Sequence, residues 1–302
     1  MPSAIGGVPR MRCSRRCAAV SDLAIGLGDV DGVRSIQRRR NCDDAAVEVS
    51  LASAERGTVW IARDVGEAVG IVVSHDSETE RYVGDLFVEP SYRGTGVGGE
   101  LLSAAFLDAG DRTRAMMVDP SDRASVALAL RQRMMLREPI ARLAGAIPRE
   151  EELAKMAAGN YRFEVGAVDS VAHGFGLRGL DAQTRGTTRD ADHEQFARSA
   201  TGHAFFLRGE FVAYVYVWPD GRIGPLGCAS QAYLVQIFAY ALLSLTRTYG
   251  ASWCSAFVPG SNLRIARAAL RAGLRIEAVS LLCADAFQGD LSTYVGFQAL
   301  LL

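Results

Sequence analysis

The chain has 302 residues, enough for about two domains, and its 33 basic and 34 acidic side chains leave a formal net charge of −1. That balance creates no field to hold DNA, RNA or an anionic membrane surface, so no nucleic-acid or membrane partner is expected. No apolar run reaches the roughly 18 residues of a membrane span. The longest, 233–245, is interrupted by Gln236 and reads as a buried helix.

Residues 1–21 carry Arg10, Arg12, Arg15 and Arg16 and no acid, a composition shared with targeting peptides but without an apolar central segment. They are expected to form a disordered extension, or to reflect a start placed upstream of Met11. Almost all basic residues are arginine (Lys155 is the one lysine) and alanine is abundant, a bias typical of bacterial coding. Cys13, Cys17, Cys42, Cys228, Cys254 and Cys283 include no CxxC pair, so neither zinc nor a disulfide framework is expected, and a cytoplasmic location follows.

In chain order, 23–27 reads as a short strand and 29–39 as a helix with Val30, Val33 and Ile36 inward. Residues 58–62 and 68–74 are β-branched runs either side of Asp64-Val65-Gly66-Glu67, a hairpin signal. A third strand, 82–88, runs into Glu89-Pro90-Ser91-Tyr92 and then Arg93-Gly94-Thr95-Gly96-Val97-Gly98. A helix is expected to open at Gly99, with Leu101, Leu102, Ala105, Phe106 and Ala109 on one face. Further on, 115–118 reads as a strand, 124–133 as a helix, and the charged, alanine-rich 142–158 as a connection between domains.

The glycines would let backbone N–H groups approach a ligand, and a helix N-terminus just beyond them favours phosphate. Three phosphate motifs compete. A Walker-type loop needs Gly-Lys-Ser/Thr, and no lysine is present there. A dinucleotide fingerprint fits Gly94-x-Gly96-x-x-Gly99, and Asp119 closes the next apolar segment about 20 residues on. Against it, five residues separate the loop from its strand, and other strands precede it. The third is Arg-x-x-Gly-x-Gly after a Val-x-Pro strand end. On Phe87 through Gly98 the sequence resembles the acetyl-CoA loop of the GNAT acyltransferases, nearly position by position.

The order of elements then recurs. After a helix at 193–199, a hairpin pairs 204–207 with 211–217 around Arg208-Gly209-Glu210. Residues 221–226 form a strand, 232–245 a helix, 252–258 a strand and 262–272 a helix that Gly273 ends. Leu180-Asp181 with Gly186 and His193, then Gly221 to Leu226, then Asn262 to Leu274, resemble the C-terminal domain of tandem GNAT proteins of the YitH-like type. The implied fold class is α/β, two tandem GNAT-like domains, each a mixed central sheet flanked by helices. The boundaries expected are 22–145 for the N-terminal domain, 146–175 for the connection and 176–302 for a degenerate C-terminal domain.

The resemblance implies acetyl-CoA as co-substrate and no metal. The splayed ends of two parallel strands would receive the pantetheine arm against the backbone of Phe87 and Val88. The N–H groups of Gly94, Thr95, Gly96, Val97, Gly98 and Gly99 would hold the diphosphate, with Arg93 adding charge. The N–H of Val88 would stabilise the tetrahedral oxyanion, and Asp85 would be the base, directly or through water. Glu89 and His75 are weaker candidates, and Tyr92 is expected to pack against the loop. Aligning the later motif on Met134-Met135 puts Leu130 where the family has the tyrosine that protonates the thiolate. After Leu226, Gly227-Cys228-Ala229-Ser230-Gln231-Ala232 has no arginine and no spaced glycines, and Ala269 stands where the second tyrosine would be. One acyl-CoA site, in the first half, is therefore expected. The acceptor would be a primary amine on a small molecule or peptide, and the protein a monomer or homodimer. The alternative is a catalytically weak acyl-CoA sensor or interaction protein.

Overall fold

The computed structural model describes residues 11–12, 23–39, 57–287 and 289–296. The chain divides into two units, Met1–Asp76 with Arg81–Arg114, and Ser77–Glu80 with Ala115–Leu302. Each is considered by itself.

The first unit is an antiparallel meander: β1 (Met11–Arg12), β2 (Ala24–Leu27), β3 (Gly57–Asp64), β4 (Glu67–Asp76) and β5 (Glu80–Val88), each paired with the next. β1 lies in the stretch expected to be an extension; the rest of 1–21 is outside the described residues. Helix α1 (Val30–Arg39) turns Val33 and Ile36 onto Val59, Ile61, Ile71 and Val73, and Phe87 packs on the same cluster. A second helix, α2 (Val97–Ala105), buries Val97, Leu101, Leu102, Ala104 and Ala105. Gly70 on β4 allows it close: a Cβ there would lie 2.9 Å from Leu101 Cδ1 and 3.2 Å from the Phe87 carbonyl oxygen. Beneath the sheet's far end, the nearly buried guanidinium of Arg81 grips Asp76 at 2.5 Å and donates to the Ala105 carbonyl, while Arg112 reaches the same carboxylate.

The second unit contains β6 (Thr113–Val118, from Ala115 on), α3 (Arg123–Arg131), β7 (Met135–Ala146), α4 (Glu150–Ala157), β8 (Glu164–Ala167), α5 (Gly174–Thr184) and α6 (Asp190–Ser199). After them come β9 (Thr201–Leu207), β10 (Glu210–Val217), β11 (Arg222–Cys228), α7 (Leu234–Tyr249), β12 (Trp253–Pro259), α8 (Leu263–Arg271), β13 (Arg275–Ala284) and β14 (Tyr294–Val295). The sheet order is β6-β13-β7-β12-β11-β10-β9-β8, with β14 on β11. Only β11 and β12 run parallel among the described pairs of this unit, so the sheet is mixed. Two strands late in each sequence half are interleaved: β13 lies between β6 and β7, and β7 between β13 and β12.

The order of elements from 201 to 272 follows the sequence reading. The stretch 142–158, read as a connection, contains the end of β7 and helix α4. α7 is the centre of the core; Leu234, Ile237, Phe238, Leu242 and Leu245 are inaccessible to solvent, and each contributes about 1.5–3 kcal/mol by burial. Gly250, left-handed at φ 63°, ends it.

Candidate functional site

The end of β5 and the start of α2 build the site. Val73 pairs with Asp85 and Ser74 with Val83, which leaves Gly84 as a bulge immediately before Asp85. Beyond the bulge the phase is regular. Phe87 lies opposite Ile71 and Val88 opposite Gly70, and the Glu89 N–H donates to the Val69 carbonyl at 2.9 Å. Bonded and non-bonded positions alternate in an antiparallel pair. The N–H and C=O of Phe87 therefore face β4, whereas those of Val88 face the opposite side of the strand. Of the two residues expected to meet a pantetheine arm, Val88 offers its peptide group outward and Phe87 offers its side chain to the core.

A 3₁₀ turn, Pro90–Tyr92, follows. The Tyr92 hydroxyl donates to Asp64 Oδ2 at 2.7 Å and the Thr95 hydroxyl donates to the Tyr92 carbonyl at 2.7 Å, which pins the loop to the β3–β4 hairpin. Arg93 donates from Nε to the Val88 carbonyl at 3.1 Å, and the residue is exposed. Gly94 and Gly96 have φ of 80° and 100°, values that side chains rarely adopt. Gly96 is the N-cap of α2, and no side chain caps that end. Val97 turns its side chain into the core, while Gly98 and Gly99 keep the first turn of the helix bare. Backbone N–H groups at a bare N-terminus, a positive dipole end and an adjacent guanidinium suit a phosphate group.

Asp85 faces α1, where the buried Gln37 donates to its Oδ2 from Nε2 at 3.4 Å. It is half-buried and three residues from Val88, about 10 Å along the strand. That spacing admits an acceptor and a water between the carboxylate and the Val88 amide. The loop, Val88 and Asp85 are thus brought together on one strand and its exit. His75 is not: it pairs with Tyr82 near the other end of the hairpin. Tyr92 is unsuited as an acid, because its hydrogen bond to Asp64 pushes the phenol's pKa up. Asp119, the acid of the dinucleotide reading, accepts from the N–H and hydroxyl of Ser121 within its own turn. The strand before the loop is also antiparallel to its neighbour β4, unlike a dinucleotide-binding unit. Gln37 and the Gly84 bulge were not singled out in the sequence; a glycine inside a strand was the signal for the second.

Cys228, Cys254 and Cys283 are buried thiols, pushed up to about 12, 12 and 11 by burial, and are not nucleophiles. Among the described residues no cluster of three or more His, Cys, Asp or Glu side chains could hold a metal ion. No described helix is long and apolar enough to cross a membrane.

Residues 55–132 match the model of the acetyltransferase (GNAT) domain, and this stretch is a GNAT domain. The whole chain has the fold of tandem GNAT proteins. It superposes on a protein from Pyrococcus horikoshii over 96% of this chain and 99% of that one, with 15% identity and a TM-score of 0.68. A tandem GNAT protein from the clavulanic acid biosynthesis pathway is matched over 88% of this chain and 98% of its own, with 16% identity and a TM-score of 0.61. A GCN5-related N-acetyltransferase from Sphaerobacter thermophilus is matched over 90% and 98%, with 15% identity and a TM-score of 0.61. No curated protein sequence matches the chain.

Proposed function

We propose that the chain is an acyl-CoA-dependent N-acyltransferase, moving an acetyl group from acetyl-CoA to a primary amine of a small molecule or peptide. Its site lies in residues 22–145; 176–302 form a second half without a cofactor loop, and 146–175 join them. The observation that carries this reading is the exit of β5. There the outward peptide of Val88, two left-handed glycines and a bare helix end follow one another within nine residues, Val88 to Gly96.

In this reading the N–H groups of Gly94 to Gly99 bind the diphosphate, Arg93 adds positive charge, and the strand end at Phe87 and Val88 holds the pantetheine arm. Asp85 takes a proton from the ammonium acceptor through water, leaving a nitrogen lone pair that attacks the thioester carbonyl. The Val88 N–H stabilises the oxyanion, a contribution of about 3 kcal/mol for a well-placed donor. The C–S bond then breaks, and the nitrogen of the intermediate gives up its second proton, through water, to the departing thiolate. Leu130 on α3, at the place the resemblance gives to the acid, is half-exposed and has no ionisable proton to give; it favours the second reading, a catalytically weak acyl-CoA sensor.

Calorimetric titration with acetyl-CoA tests the site. Micromolar 1:1 binding is expected, lost in the Arg93→Ala, Gly96→Val double variant. Wild-type protein that ignores acetyl-CoA, or a double variant that binds as well as wild type, would sink the proposal. Asp85→Asn separates the two readings: an enzyme loses turnover at least about 100-fold with acetyl-CoA affinity intact, and a sensor has no turnover to lose.

A further inference from the structure

We propose that, in the second half, the chain's own C-terminal strand fills the cleft corresponding to the one that takes acyl-CoA in the first. β11 leads into α7 just as β5 leads into α2. β11 and β12 are parallel neighbours, the arrangement whose splayed ends would admit a pantetheine arm. They pair only at Arg222 with Ser255 and Ile223 with Ala256. Beyond those pairs β14 enters. On one side Tyr294 lies opposite Gly227 and Val295 opposite Leu226 of β11. On the other, Gly296 bridges Phe257 of β12 and donates its N–H to the Phe257 carbonyl at 2.8 Å. A strand so placed takes the backbone groups that an inserted ligand would need.

The chain just before β14 covers the mouth of α7 as well. Gln231, in the loop leading to that helix, donates to Ser292 Oγ at 2.7 Å, and the Asp290 N–H donates to the Gln183 carbonyl at 2.9 Å. Tyr294 is the anchor. It is fully buried; its carbonyl accepts from Asn262 Nδ2 at 2.8 Å, and its hydroxyl accepts from Arg189 Nη2 at 2.6 Å. The Arg189 guanidinium also lies over the ring, 5.5 Å from its centroid. Asp181, 3.8 Å from Arg189 Nε, balances that charge and is itself held by the Tyr214 hydroxyl and by His193 Nε2 at 2.9 Å. His193 Nδ1 meets the Tyr216 hydroxyl at 3.0 Å. This polar cluster, which the transfer reaction does not use, is the socket for the plug.

The consequence is one acyl-CoA site per chain, a count that rests on the proposed function. The test is made on the full-length protein. Hydrogen exchange is followed by mass spectrometry with and without saturating acetyl-CoA, beside a calorimetric count of sites. The amides of 294–296 are expected to exchange at least about a thousandfold more slowly than an unstructured peptide, unchanged by acetyl-CoA, while those of 93–99 slow when it binds. A stoichiometry of two, exchange of 294–296 at the unstructured rate, or acetyl-CoA-induced loosening of that segment would overturn the proposal. Absence of all binding refutes the acyltransferase reading, and the exchange of Gly296 in free protein then decides the plug on its own. Tyr294→Phe keeps the ring and deletes the hydroxyl. It is expected to raise Gly296 exchange about tenfold, and unchanged exchange would remove Arg189 and its neighbours from the role of socket.

Discussion

Gly70→Ala tests whether the peptide of Val88 stabilises the transition state. Gly70 lies opposite Val88, and a methyl group at its Cβ would stand 2.9 Å from Leu101 Cδ1 and 3.2 Å from the Phe87 carbonyl oxygen. The leucine methyl can rotate away. The carbonyl oxygen is the other end of the planar unit that carries the Val88 N–H, so relieving the contact moves that N–H too. The shift needed is a few tenths of an ångström. Complete loss of an oxyanion donor costs about 2.7–4 kcal/mol; a displaced one is expected to lose about 1 kcal/mol, a five- to tenfold fall in kcat. Overpacking should also lower stability by about 1 kcal/mol, the bottom of the usual range. The assay is thiol release from acetyl-CoA with an amine acceptor found by screening, with Kd from calorimetry and Tm from thermal unfolding. Gly26→Ala is the control, since a Cβ there meets nothing within 4 Å. A folded Gly70→Ala protein with kcat within twofold of wild type would refute the role of Val88, and a parallel loss of affinity would assign Gly70 to binding instead.

Tyr92→Phe should keep kcat within about twofold and lower Tm slightly with the loss of its bond to Asp64; a hundredfold fall in kcat would make the phenol the missing acid. Asp181→Asn should destabilise the protein by about 3–5 kcal/mol in urea titration, because it leaves the buried charge of Arg189 unbalanced. The same residue sets an acid limit. Burial raises the pKa of Asp181, but the His193 hydrogen bond and the Arg189 charge outweigh it and hold the carboxyl below the usual 3.8. A depressed folded pKa means that stability is present above pH 3.8 and lost as pH falls through the lower folded value. Wild-type stability should therefore drop below pH 3.8, with a shallower drop in Asp181→Asn; parallel curves would remove this carboxyl from the acid response.

The glycine loop was legible because its signals are local: two glycines at the left-handed positions, an arginine before them and an apolar helix face after them. Even so the helix starts at Val97 and not at Gly99. Glycine costs about 1 kcal/mol inside a helix, which makes Gly98 and Gly99 look like loop. What the helix requires is that left-handed backbone stop, and it stops at Gly96. β7 was hidden by Pro139 and by the half-buried charged residues Arg137, Glu138 and Arg142, and its two partners come from more than 100 residues downstream. β14 is two residues long, too short for any periodicity to show. Register of this kind is set by non-local packing, and the residue pattern does not carry it.

The second half shows why residue types alone do not define a site. Asp181, His193, Tyr214 and Tyr216 form a carboxylate–imidazole–phenol network that, by composition and hydrogen bonding, would serve general acid–base catalysis. Burial decides otherwise. All four are at most 1% exposed, so no substrate reaches them. Their donors and acceptors close on one another and, through Arg189, on Tyr294. A network so enclosed is costly to leave incomplete, and a strand inserted between β11 and β12 completes it. The half that lacks spaced glycines is also the half whose cleft holds a strand. The loop that follows β11 bonds to Ser292 through Gln231, and β14 pairs with β11 and bridges β12 where those two strands separate.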